Sequence, residues 1–257
     1  MYQSVLFFIA ALLCTESKSA NINRHLKLLD FENNIEPNAS PTKQAGVLRF
    51  LSLERKPNAL YAHTTGVLLP VTCEAIGSPA PTIRWFKNNS PIYEHDTESN
   101  EVIESNPNSL GRITSTLLIT HSDGSDVYTC LATSASKMVR ASTVITSSGK
   151  TTDPTERSKL LPLEPRILVS YKAFVDTIGN TVILPCKARG YPRPTISWRD
   201  NNGVLVTKNP RMKVLRSGEL VISPLRWSDM GEFTCHATNT FGNGSASTFL
   251  YPAVSDI

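Results

Sequence analysis

Residues 186 to 235 read CKARGYPRPTISWRDNNGVLVTKNPRMKVLRSGELVISPLRWSDMGEFTC, and the spacing inside this stretch decides the fold. Trp198 stands twelve residues after Cys186, and Asp229-Met-Gly-Glu-Phe-Thr-Cys235 closes the segment. The device repeats upstream. Cys73 is followed twelve residues later by Trp85, and Cys130 ends Val127-Tyr-Thr-Cys130. Around these residues, short apolar runs alternate with polar ones. Leu69, Val71 and Cys73 share one face of a strand, as do Ile83 and Trp85, and Gly, Pro and Asn punctuate the runs.

In an immunoglobulin sandwich the first cysteine lies on strand B, the tryptophan on strand C and the second cysteine on strand F. The bridge crosses between the sheets and the indole packs on it. Two such sets predict an all-β chain of two tandem immunoglobulin-like β-sandwiches, over residues 47–148 and 166–254, joined by a linker at 149–165. Leaving aside Cys14 in the leader, four cysteines allow three pairings. The repeated tryptophan spacing selects Cys73–Cys130 and Cys186–Cys235. Closing a loop of about fifty residues, each bridge stabilises its domain by roughly 4 kcal/mol in the chain-entropy model. Such bridges persist in an oxidising compartment.

The flanks agree with that compartment. Val5 to Leu13 is an apolar run of nine residues, too short to span about 30 Å of hydrocarbon. Ser17-Lys-Ser-Ala20 follows, so residues 1–19 read as a signal peptide, although no lysine or arginine precedes the apolar run. Residues 20–46 read as a disordered arm. No later run is long enough to cross a membrane, and the C-terminus lacks a hydrophobic tail for a lipid anchor. The expectation is a secreted, extracellular protein without membrane insertion.

Net charge is +4 and basic residues alternate with acids, which does not make a nucleic-acid surface. Neither a nucleophile elbow nor a zinc-protease helix nor a phosphate loop is present, so an enzyme is not expected. Glu94-His-Asp-Thr-Glu98 lacks calcium-loop spacing and reads as a solvated loop. No metal or cofactor is expected. Asn88-Asn-Ser90, Asn243-Gly-Ser245 and Asn38-Ala-Ser40 are glycosylation acceptors, the last weakened by Pro41.

Within the sandwiches, Tyr128 stands two residues before Cys130, the tyrosine-corner position, and Phe233 takes the corresponding place before Cys235. Ala237-Thr-Asn239 with Gly242 resembles the I-set class. Further stretches narrow the resemblance. Met212-Lys-Val-Leu-Arg-Ser-Gly-Glu-Leu-Val-Ile-Ser223, Trp227 to Cys235, Thr248-Phe-Leu-Tyr-Pro-Ala-Val254, Val127-Tyr-Thr-Cys-Leu131, Ala141-Ser-Thr-Val144 and Pro165-Arg-Ile167 resemble the insect ecdysone-inducible neural/ectodermal development factors. That resemblance covers about Val47 to Val254 and implies a secreted two-domain protein that binds insulin-like peptide hormones and withholds them from their receptor. The alternative is an adhesion or axon-guidance module binding a cell-surface partner, since the fold alone does not decide function.

Some apolar residues exceed what a half-solvated strand requires. They are Leu48 and Phe50; Met138, Val139, Val144 and Ile145; Ile167, Leu168 and Tyr171; and Phe249 and Tyr251. These flank the linker or the domain edges and form the candidate hormone-binding surface. The competing reading is that they hold the two domains together. The linker is long enough for the domains to fold back on each other.

Overall fold

In the computed structural model, residues 49–64, 67–92, 106–120, 124–147 and 162–254 are described. The leader, the arm, Leu48, Asn38, the Glu94–Glu98 stretch and most of the linker lie outside them. Among the described residues the alternating segments form sixteen strands. In domain one these are β1 (Phe50–Arg55), β2 (Leu60–His63), β3 (Leu69–Ser78), β4 (Thr82–Lys87), β5 (Ser90–Pro91), β6 (Leu110–Ile119), β7 (Ser125–Ser134) and β8 (Lys137–Ser147). Domain two contains β9 (Leu163–Thr177), β10 (Val182–Leu184), β11 (Cys186–Tyr191), β12 (Thr195–Arg199), β13 (Met212–Val214), β14 (Leu220–Ile222), β15 (Gly231–Asn239) and β16 (Gly242–Ala253). No helix among the described residues is long and apolar enough to cross a membrane.

Both disulfides form as the spacing predicts. Cys73–Cys130 ties β3 to β7, and Cys186–Cys235 ties β11 to β15. Each tryptophan is buried beside its bridge and its indole N–H finds an acceptor. Trp85 donates to Ser115 Oγ at 3.0 Å, and Trp198 donates to the Gly218 carbonyl at 2.9 Å. Phe233 is fully buried in the corner of domain two. That corner is secured by an ion pair instead. Arg211 donates to both carboxylate oxygens of Asp229, at 2.8 and 2.7 Å, and Asp229 Oδ2 also accepts from the Arg226 backbone N–H. The neighbouring carboxylate holds the Arg211 guanidinium above its ordinary range.

The sandwiches do not follow each other as separate beads. Strand β6 of domain one pairs antiparallel with β9 of domain two, from Leu110 opposite Val175 to Ser115 opposite Val169. This welds β1, β3 and β6 to β9, β16, β15 and β12 in one eight-stranded sheet that also takes in β11. The other two sheets, β2-β8-β7-β4-β5 and β10-β14-β13, complete the two sandwiches. The fold-back that the linker permits is therefore realised by main-chain pairing. One buried apolar cluster runs across the weld: Ala75, Ala80, Ile113 and Ala132 of domain one join Tyr171, Phe174, Phe233 and Leu250 of domain two. A second cluster (Val71, Leu117, Tyr128, Ile145) belongs to domain one alone.

Strand β9 extends well beyond the Ile167, Leu168 and Tyr171 positions singled out in the sequence. It first pairs with β11 and then, from Ala173, runs parallel to β16. Between Arg112 and Ile113 the β6–β9 register shifts, so that Lys172 is the extra residue on β9. Such a bulge re-aims a side chain, and this one has a use described below.

Candidate functional site

Because side chains alternate across a strand and paired residues share a face, the register sorts the eight-stranded sheet into two sides. Val71, Cys73, Ala75, Ile113, Phe174, Leu250, Phe233 and Cys235 face the two smaller sheets and are buried. The opposite side carries Ile76, Leu110, Arg112, Ala173, Val175, Phe249 and Tyr251, all of them half-buried. This open face is continuous across both domains. Its centre is the weld, where Leu110, Val175 and Tyr251 stand side by side on β6, β9 and β16, with Arg112, Ala173 and Phe249 forming the next row. Trp227, in the short turn Trp227–Asp229, is 53% exposed and meets Tyr251 edge-on at 6.1 Å between centroids. Phe50 lies toward the far edge, since its neighbours Leu51 and Leu53 pack into the core.

The weld is fastened on both sides of the sheet. On the core side, the Tyr171 ring packs at a tilt against Phe174, 4.8 Å between centroids, and its hydroxyl donates to the Pro81 carbonyl at 3.0 Å. Gly111 leaves room for that ring, because a Cβ there would lie 2.8 Å from it. On the open side, Glu74 is buried between two cations. One oxygen accepts from Arg112 Nε of its own domain, and the other meets Lys172 Nζ of domain two at 2.9 Å. The bulge on β9 is what brings Lys172 to Glu74. Among the described residues, no cluster of His, Cys, Asp and Glu could hold a metal ion.

The predicted site residues divide into distinct groups. Phe50, Phe249 and Tyr251 share the open face, with Leu250 fully buried behind them. Three residues must be removed from the candidate surface. Ile145 is 0% exposed in the core of domain one, and Leu168 and Tyr171 are buried, the latter as the fastening just described. Ile167 packs against the shared core. Met138 and Val144 lie on the outer face of the five-stranded sheet of domain one, and Val139, opposite buried Ala132, is half-buried on the other side of that strand. The surplus apolar residues thus include both a surface and the interdomain fastening.

Sequence reasoning missed Ile76, Leu110, Val175 and the Glu74–Arg112–Lys172 cluster. For Val175 a signal existed, since Ala173-Phe174-Val175 is a short apolar run of the kind a strand buried on both faces carries. Nothing local signals that Glu74 and Lys172 meet, because that depends on which edge strands pair.

Comparison with known proteins follows the same outline. The family model described as "Immunoglobulin domain" matches residues 54–134 and 164–239. The chain is 32% identical over 237 residues to neural/ectodermal development factor IMP-L2 of Drosophila melanogaster, covering 88% of this chain and 86% of that protein. The crystal structure of IMP-L2 matches with a TM-score of 0.68 at 29% identity, over 81% of this chain and 97% of that one. Zwei Ig domain protein zig-3 of Caenorhabditis elegans is 29% identical over 204 residues, 76% of this chain and 78% of that protein.

Proposed function

The chain belongs to the immunoglobulin-domain proteins, in the family of neural/ectodermal development factor IMP-L2, and from that premise we propose that it is a secreted binding protein that sequesters insulin-like peptide hormones. It acts by covering the hormone's receptor-binding surface, and no bond is made or broken. The observation that carries this reading is the open face of the eight-stranded sheet, built by both domains and lined at its centre by Leu110, Val175, Phe249, Tyr251 and Trp227. Aromatic and aliphatic anchors grouped near the middle of a polar surround are what a small, tight interface requires. A peptide of hormone size fits an interface at the lower end of the standard range, on the order of 1,200 Å² in total.

The test is a calorimetric titration of the secreted protein with an insulin-like peptide, beside its binding to intact neuronal cells. Saturable peptide binding without cell binding supports sequestration. Cell binding without peptide binding would instead support the adhesion reading, for which the exposed Leu60, Val127 and Met138 of domain one offer a separate surface.

A further inference from the structure

The structure treats the acceptor motifs differently. Asn88 is the first of two turn residues with positive φ, at 47° and 66° for Asn88 and Asn89. This pair closes the β4–β5 hairpin with the geometry that favours asparagine. Asn88 is exposed, as Asn243 is, but its side chain is committed to that turn. Nδ2, the atom that would carry a sugar, donates to Asp126 Oδ1 at 2.8 Å, and Oδ1 accepts from the Val127 backbone N–H at 2.9 Å. Asp126 is itself buried and holds Lys87 at 2.9 Å. A sugar on Asn88 would have to grow from a nitrogen turned toward strand β7.

Asn243 is the opposite case. It is the second residue of β16, inside the strand and not at the hairpin tip, and it is exposed opposite exposed Thr238. Alternation places it on the open face, on the same side as Ser245, Ser247, Phe249 and Tyr251. The middle position of the motif has its own packing reason. A Cβ on Gly244 would lie 2.5 Å from the Pro165 carbonyl oxygen, so that position faces β9 while Asn243 points away from it.

We propose that Asn243 carries an N-linked oligosaccharide, that Asn88 stays bare, and that the sugar fences the hairpin end of the open face. This rests on the secretion reading above. Asn243 and Phe249 are six residues apart on one strand, about 20 Å at roughly 3.3 Å per residue. A glycan at that distance leaves the aromatic rows at the weld open and blocks approach along the sheet from the β15–β16 hairpin.

Two measurements decide this on the full chain expressed in a eukaryotic secretory cell. Enzymatic deglycosylation in heavy-oxygen water, followed by peptide mass spectrometry, should convert Asn243 to labelled aspartate and leave Asn88 unchanged. A bare Asn243, or a glycan on Asn88, overturns the assignment. A chain retained in the cytosol with reduced cysteines overturns it together with the secretion reading. The second measurement moves the fence. Asn243→Gln should leave the affinity for an insulin-like peptide within about twofold. Asn243→Gln with Ser245→Asn creates an acceptor two residues nearer Phe249 and should weaken binding at least tenfold once its glycan is verified. Unchanged affinity in that glycosylated variant overturns the fence, whereas no peptide binding by the unaltered chain sinks the sequestration reading and leaves the glycan assignment to the mass spectrum.

Discussion

Two of the sheet faces among the described residues expose apolar side chains and are built differently. The outer face of the five-stranded sheet carries Leu60, Val127, Val144 and Met138, all from domain one. The open face of the eight-stranded sheet draws Ile76, Leu110 and Arg112 from one domain and Val175, Phe249 and Tyr251 from the other. The first would exist on an isolated sandwich. The second exists only because β6 and β9 pair. A function located on the composite face is therefore hostage to a handful of fastening residues, and a function on the local face is not.

The most severe way to break the comparison is Tyr171→Ala. It removes a buried ring, its tilted contact with Phe174 and the hydroxyl bond to Pro81. Truncating a large buried aromatic costs about 3–5 kcal/mol. Small-angle scattering should show an elongated particle, and peptide affinity should fall by more than a hundredfold. An elongated variant that still binds at full strength would place the site within one domain. Glu74→Gln should act in the same direction more weakly. It leaves Arg112 and Lys172 without their shared carboxylate, and removing one partner of a buried ion pair costs about 3 kcal/mol at the low end. Because the Lys172 side chain is half exposed, solvent screens part of that loss, and about 2 kcal/mol is expected in denaturant melts.

The contrast between the two faces also marks how far the sequence could be read. Cysteine and tryptophan spacing is a short-range signal, and it yielded both sandwiches, both bridges and most strand positions. The Phe249–Leu250–Tyr251 alternation revealed a strand with two apolar faces, and the register of β16 against β9 and β15 explains it: Leu250 is core, and the rings are surface. The same logic failed for Tyr171 and Leu168. An apolar residue on an edge strand has the same sequence signature whether it meets solvent, ligand or another domain. Only the long-range pairing of Ile113 with Tyr171 separates those outcomes. The Arg211–Asp229 clamp escaped notice for a related reason, since its partners are eighteen residues apart on different elements.

Point changes on the two faces sharpen the comparison without disturbing the weld. Phe249→Asp and Tyr251→Asp each place a charge in the central rows, where losing an anchor costs about 2 kcal/mol of binding, roughly thirtyfold. Met138→Asp and Val127→Asp, on exposed positions of the local face, should leave peptide affinity within about twofold. Equal losses on both faces would mean that the partner spans both or that the variants misfold, and matched thermal melts separate those cases.

The smallest expected effect concerns Asp176, which follows Val175 on β9 and is buried beneath the composite face. Burial raises its carboxyl above the usual 3.8, partly opposed by hydrogen bonds from Asn180 and the Thr177 backbone N–H. A carboxyl whose folded pKa exceeds its unfolded one binds its proton more tightly in the native state. Stability from this group is therefore full below the unfolded value, is lost as pH rises through the folded value, and stays flat above it. Asp176→Asn abolishes the titration. Oδ1 of the new amide can still accept both hydrogen bonds, which converge on Oδ1 of the aspartate. Absolute stability also registers the amide nitrogen that replaces Oδ2, so the informative quantity is the pH slope. Paired denaturant melts from pH 3 to pH 7 should show the unaltered chain losing ground to the variant as pH rises, with the gap constant once the carboxyl is ionised. A gap that widens toward low pH would mean that the ionised carboxylate stabilises this end of the composite face.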